Sequence, residues 1–138
     1  MKVLSIKQPW AWLICIGCKT IENRTWVRKY RGPILIHASK ISASWGDCDE
    51  WMMSTIKDFL KKRGMKLPKV SELPTSAIIG RATLYDIDDN LFETVYDPFA
   101  FDGQFHWHLK DAELFERPIE NVKGKVFLWD YSLKEKSE

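Results

Sequence analysis

Lys19, Glu22 and Arg24 fall inside the run Gly17-Cys18-Lys19-Thr20-Ile21-Glu22-Asn23-Arg24, which places two cations around one carboxylate. Thr20, Glu22 and Arg24 alternate, so an extended backbone turns all three to one face. Lys19, just ahead of them, can swing over that face. Such a group can clamp an anionic ligand. It can also assist hydrolysis, with Lys19 as nucleophile or base and Glu22 positioning it or the attacking water. A third reading is an internal ion pair that ties a strand to a helix. Cations on both sides favour the ionised carboxylate, which makes Glu22 a poor general acid near neutral pH.

Charge along the chain bears on this choice. The sequence has 138 residues with a formal net charge of +2. Residues 1–40 hold eight Lys/Arg and one acid, a net +7, while the remainder holds 13 basic and 18 acidic side chains, a net −5. A block this basic points to an anionic partner. Arg28, Lys29, Arg31 and Lys40 supply charge that matches phosphate, and arginine can bind it with two parallel hydrogen bonds. Trp26 lies inside the basic stretch, Trp10 precedes it, and Trp107 stands in a later strand. Aromatic faces beside cations are what an unstacked base needs. Trp12, Trp51 and Trp129 are assigned to core packing.

The elements that must position these groups read as follows. Lys2–Ile6 is a strand, and Gln8-Pro9-Trp10 opens a compact helix that Gly17 closes. Thr20–Val27 is extended, Arg31-Gly32-Pro33 turns, and Ile34–Ala38 is a buried strand. Asp47 caps a helix running to Lys62 or Arg63, with apolar positions from Trp51 to Leu60 on one face. Residues 65–76 form a loop or lid. Ala77–Ile87 is a long strand ending at the acidic run Asp86–Asn90, and residues 90–104 are irregular. Phe105–Leu109 and Lys125–Trp129 are further strands. With no repeat and no linker, residues 1–131 form one domain and 132–138 a polar tail. Five or six strands with two helices predict an α+β fold, a small mixed barrel with two flanking helices.

Other signals are weaker. Cys15-x-x-Cys18 sits at a helix end, has no second pair to complete a zinc site, and reads as structural. His37, His106 and His108 are too scattered in sequence to establish a metal site, so neither metal nor cofactor is expected. Asp86–Asn90 lacks the glycine of a calcium loop. The run Ala11–Ile16 is too short to span a bilayer, so no membrane partner is expected. Three cysteines, an odd number, fit a reducing, cytoplasmic compartment.

Ser5-Ile6-Lys7-Gln8-Pro9-Trp10-Ala11, the G-x-K-x-x-E-x-R run at Gly17–Arg24 and Arg31-Gly32-Pro33-Ile34-Leu35-Ile36-His37-Ala38 resemble the ASCH (activating signal cointegrator homology) domain family. So do Gly80, Phe105-His106-Trp107 and Lys123-Gly124-Lys125…Trp129, in the same order along the chain. The resemblance implies a PUA-like β-barrel that binds nucleic acid, RNA ahead of DNA, in a cleft between barrel and helices. Lys19, Glu22 and Arg24 would line the cleft and read or clamp an inserted base. Some small family members resemble hydrolases of modified cytidine or of RNA, which keeps lysine-assisted chemistry as the alternative. The nucleoside-hydrolase type pairs the motif lysine with a threonine three residues on. Glu22 stands there instead, which favours the binding branch. A protein partner docking on acidic residues 86–102 is a further reading.

Overall fold

The computed structural model describes residues 1–132. Of the expected polar tail 132–138, residues 133–138 lie outside the described residues. The elements run β1 (Lys2–Ile6), α1 (Trp10–Cys15), β2 (Ile21–Arg24), β3 (Gly32–Ala38), α2 (Glu50–Lys62), β4 (Ala77–Asp88), α3 (Glu93–Tyr96), β5 (Phe105–Ile119) and β6 (Leu128–Asp130). The six strands form a sheet in the order β2-β5-β4-β3-β1-β6. β1 and β3 are parallel and every other neighbouring pair in this sheet is antiparallel. The sheet curls into a half-barrel, so its two edges approach each other without pairing. Arg24 of β2 reaches the Ser5 carbonyl of β1 at 2.8 Å. Phe127, just before β6, packs edge-on against Trp26, just after β2, with centroids 5.1 Å apart. Between them runs a seam.

α1 explains the curl. Every residue after Trp10 in this short helix is buried, and a helix apolar all round belongs inside a core. It packs on β1, β3, β4 and β5 and fills the concave side of the sheet. Its first turn is satisfied by Gln8, whose buried Oε1 accepts from the Trp12 amide at 2.9 Å. Gly80 lets β4 approach it closely. A Cβ there would stand 2.6 Å from Cys15 Sγ and closer still to the Glu113 carbonyl oxygen.

The structure corrects several expectations. Asp49, not Asp47, caps α2 by accepting from the Met52 amide at 2.8 Å. Asp47 instead closes a short turn onto the Ser44 amide. Met52, Ile56 and Leu60 make the buried stripe of α2, which leaves Trp51 45% exposed on its outer face. β5 extends ten residues beyond Leu109, and α3 is a third helix in the stretch expected to be irregular. Residues Lys110–Pro118 lack an alternating apolar pattern because much of this half of the strand is solvent-facing. The register with β4 shifts near Asp111, which takes a left-handed backbone (φ 52°).

Candidate functional site

Three hollows meet along the seam. A cavity of about 560 Å³ is lined by Ser5, Lys7, Trp10, Glu22, Arg24 and Trp26, together with Lys125 and Phe127 from the opposite lip. A second, of about 730 Å³, shares Ser5, Lys7, Ser39, Lys125 and Val126 with the first and adds Lys40 and Lys123. Together they form one trough. A smaller cavity of about 180 Å³ opens beside it, sharing Trp10, Glu22 and Asn23 and walled by Lys19, Phe99, Phe101 and Gln104.

The motif side chains do meet, as an internal cluster. Lys19 is 4% exposed and its Nζ donates to the Ile21 carbonyl and, at 3.0 Å, to Glu22 Oε1. Arg24 Nη2 binds Glu22 Oε2 at 2.8 Å and also donates to the Ser5 carbonyl. Both carboxylate oxygens therefore face a cation. Burial pushes the Glu22 pKa up, but the charges and hydrogen bonds of Lys19 and Arg24 outweigh it and hold the group below the usual 4.5. Glu22 is a fixed anion. Thr20 does not join them: it precedes β2 and lies exposed, with its carbonyl accepting from the Leu109 amide.

The trough is different in kind. Lys7, Lys40, Lys123 and Lys125 line it, and Glu22, already matched by two cations, is the sole acid among its described lining residues. Arg28 lies at its rim, 4.6 Å from the Trp26 ring and 4.9 Å from the Phe127 ring. Lys29 and Arg31 are exposed in the adjoining loop, where Arg31 Nη1 donates to the carbonyls of Arg28 and Tyr30. Of the four residues expected to hold phosphate, Lys40 lines the trough, Arg28 borders it, and Lys29 and Arg31 extend the positive surface beyond it.

The tryptophans divide. Trp10 and Trp26 are half-buried and line the trough. Trp107, expected as a stacking face, is 0% exposed. It packs edge-on against Trp26 at 4.8 Å and donates its indole N–H to the Trp26 carbonyl, so it supports the site from inside the core. Phe127 does offer a face. It is 48% exposed and takes a left-handed φ of 60°, a conformation that bulky side chains avoid. Sequence reasoning missed Lys7, Lys123, Lys125 and Phe127 as site residues. The signal for Lys123 and Lys125 was the Lys123-Gly124-Lys125 turn, whose glycine is required: a Cβ at Gly124 would stand 2.7 Å from the His37 ring.

Under the trough, Trp129 Nε1 donates to Ser5 Oγ at 3.0 Å and His37 Nε2 meets the Val122 carbonyl at 2.7 Å. The carbonyl only accepts, so Nε2 carries the proton and His37 Nδ1 accepts from the Ser5 hydroxyl at 3.0 Å. Desolvation lowers the His37 pKa below 6.5, against the pull of that carbonyl. The Cys15-x-x-Cys18 pair is inert: burial pushes the Cys15 thiol up to about 12 and Cys18 up to about 11. Among the described residues no helix is long and apolar enough to cross a membrane.

A six-stranded half-barrel plugged by an apolar helix, with G-x-K-x-x-E-x-R at its open seam, defines a small α+β domain. The ASCH domain model matches residues 4–119, and the chain belongs to that family. Human (Homo sapiens) activating signal cointegrator 1 is 30% identical over 83 residues, which is 60% of this chain and 14% of that protein. The chain thus spans a small fraction of that relative. The crystal structure of ASCH from Zymomonas mobilis aligns over 99% of this chain and 90% of its own, with TM-score 0.57 and 20% identity. A point-mutant structure of the same protein gives the same coverage and identity with TM-score 0.60. At that identity the fold is what is shared.

Proposed function

We propose that this domain binds nucleic acid, RNA ahead of DNA, along the seam. The carrying observation is a trough lined by Lys7, Lys40, Lys123 and Lys125 whose one acid among the described residues is already neutralised from within. In this reading those lysines hold the phosphates, with Arg28 at the rim and Lys29 and Arg31 steering from outside. Trp10, Trp26 and Phe127 give faces for one or two unpaired bases, which favours single strands and loops over a continuous duplex. The small cavity at Lys19, Glu22 and Asn23 takes the edge of an inserted base, with the amides of Asn23 and Gln104 beside the fixed carboxylate. The Lys19 ammonium, nearly buried and committed to two acceptors, fits a positioning role better than that of a nucleophile.

Fluorescence anisotropy with labelled single-stranded and hairpin RNA and DNA tests this. The expected result is saturable binding to RNA that weakens steeply with salt and falls about a hundredfold in a Lys123→Glu/Lys125→Glu variant. Absence of binding at low salt, or affinity indifferent to those charges, would overturn it.

A further inference from the structure

On the opposite side of β5 from the motif, four side chains that are dispersed in sequence converge. Asp88 ends β4, Glu93 opens α3, and His106 and His108 stand two apart on β5. His108 Nε2 lies 3.0 Å from Asp88 Oδ2 and 3.1 Å from Glu93 Oε1. One donor atom each from Asp88, Glu93 and His108 fits within a 4.8 Å span, and all three residues are half-buried. Nitrogen and oxygen ligands sit about 2.0–2.2 Å from a first-row divalent ion. Neighbouring donors around such an ion are then about 3–3.5 Å apart, so the two His108 spacings already match, and the Asp88 and Glu93 donors lie within the same 4.8 Å span.

His106 supplies the outer support that metal carboxylates usually have. It is 1% exposed, and its Nδ1 meets Glu93 Oε2 at 2.7 Å while Nε2 meets the Phe101 carbonyl at 2.8 Å. This fixes the Glu93 carboxylate so that its other oxygen faces His108. Three ligands leave at least one coordination position open to water. One imidazole with two carboxylates is a borderline donor set. It suits the Mn²⁺-to-Zn²⁺ series, with Zn²⁺ held more tightly than Mn²⁺ in the ordinary order, and is too poor in oxygen for Ca²⁺.

We propose that Asp88, Glu93 and His108 bind one divalent transition-metal ion, Zn²⁺ preferred, which staples the segment around α3 to the sheet. The consequence reaches the seam. The Phe101 amide donates to Asn23 Oδ1 at 2.9 Å, Asn23 donates to the Phe99 carbonyl at 2.7 Å, and both phenylalanines wall the small cavity. Fixing α3 therefore fixes one wall of the base pocket.

Calorimetric titration of the full chain with Zn²⁺, Mn²⁺ and Mg²⁺, with and without hydrogen exchange over residues 91–101, is the test. One Zn²⁺ per chain should bind, more tightly than Mn²⁺, with little heat from Mg²⁺ and added protection of that segment. His108→Ala and Glu93→Gln should each weaken Zn²⁺ binding tenfold or more. A Cys18→Ser/Cys48→Ser double variant should bind as wild type, which excludes thiol capture. Glu93→Gln keeps the side chain's size and removes its charge, so it decides the matter should His108→Ala fail to fold. No saturable Zn²⁺ binding, or equal binding in a folded Glu93→Gln variant, would sink the proposal and leave the cluster as an internal ion-pair network.

Discussion

The motif cluster and the trough beside it are both rich in cations, yet they use charge in opposite ways. In the cluster, Lys19 and Arg24 each meet one oxygen of Glu22, and the group is largely removed from water. In the trough, Lys7, Lys40, Lys123 and Lys125 line an open surface whose one acid among the described residues is already taken. A buried, balanced group holds structure in place. An open, unbalanced one attracts an outside partner and tracks its phosphates. The residues most conspicuous in sequence thus form an internal footing, and the less conspicuous lysines line the open surface that the proposed function uses.

That contrast breaks if the two regions respond alike. The largest expected effect is on stability: Glu22→Gln strands the Lys19 ammonium in the interior and should cost about 3 kcal/mol or more in chemical denaturation. The Lys123→Glu/Lys125→Glu variant should leave the denaturation midpoint nearly unchanged while affinity for RNA falls about a hundredfold, close to 2.7 kcal/mol. Next comes Phe127→Ala, which should lower RNA affinity by about 1–2 kcal/mol, the worth of one stacked base, with the salt slope unaltered.

The smallest effect is a pH dependence confined to the cluster. The folded pKa of Glu22 lies below its unfolded value near 4.5, so its contribution is complete above that pH. As pH falls below about 4.5 the unfolded chain takes up the proton first, and stability drops until the folded pKa is passed. Thermal melts from pH 6 to pH 3 should therefore show a weaker slope in Glu22→Gln than in wild type. Identical slopes would mean that the carboxylate is not held by its two cations.

Several features were legible in the sequence because local chemistry dictates them. β1, β3 and β4 are near-continuous apolar or alternating runs, and the G-x-K-x-x-E-x-R spacing does bring Lys19, Glu22 and Arg24 into contact. What escaped depended on curvature. Lys123 and Lys125 belong to the region counted as acidic, and they reach the trough only because the sheet bends its two edges together. Trp107 could not be told from a stacking residue by its neighbours, since β5 puts it against the core while His106 and His108 turn toward Asp88 and Glu93. The second half of β5 was hidden because much of it faces solvent and a register shift interrupts its pattern.

The seam carries one more consequence. A closed barrel completes its own hydrogen-bond ladder, but here the gap is crossed by Arg24 on the Ser5 carbonyl and by Phe127 on Trp26. A molecule seated in the trough, as proposed, would touch both lips and do the work of the missing strand pairing. Its binding energy is then folding energy, worth about 2.7 kcal/mol at a hundred times the dissociation constant. On the proposed function, the melting temperature of the unlabelled chain should rise with any oligonucleotide that bridges the two lips.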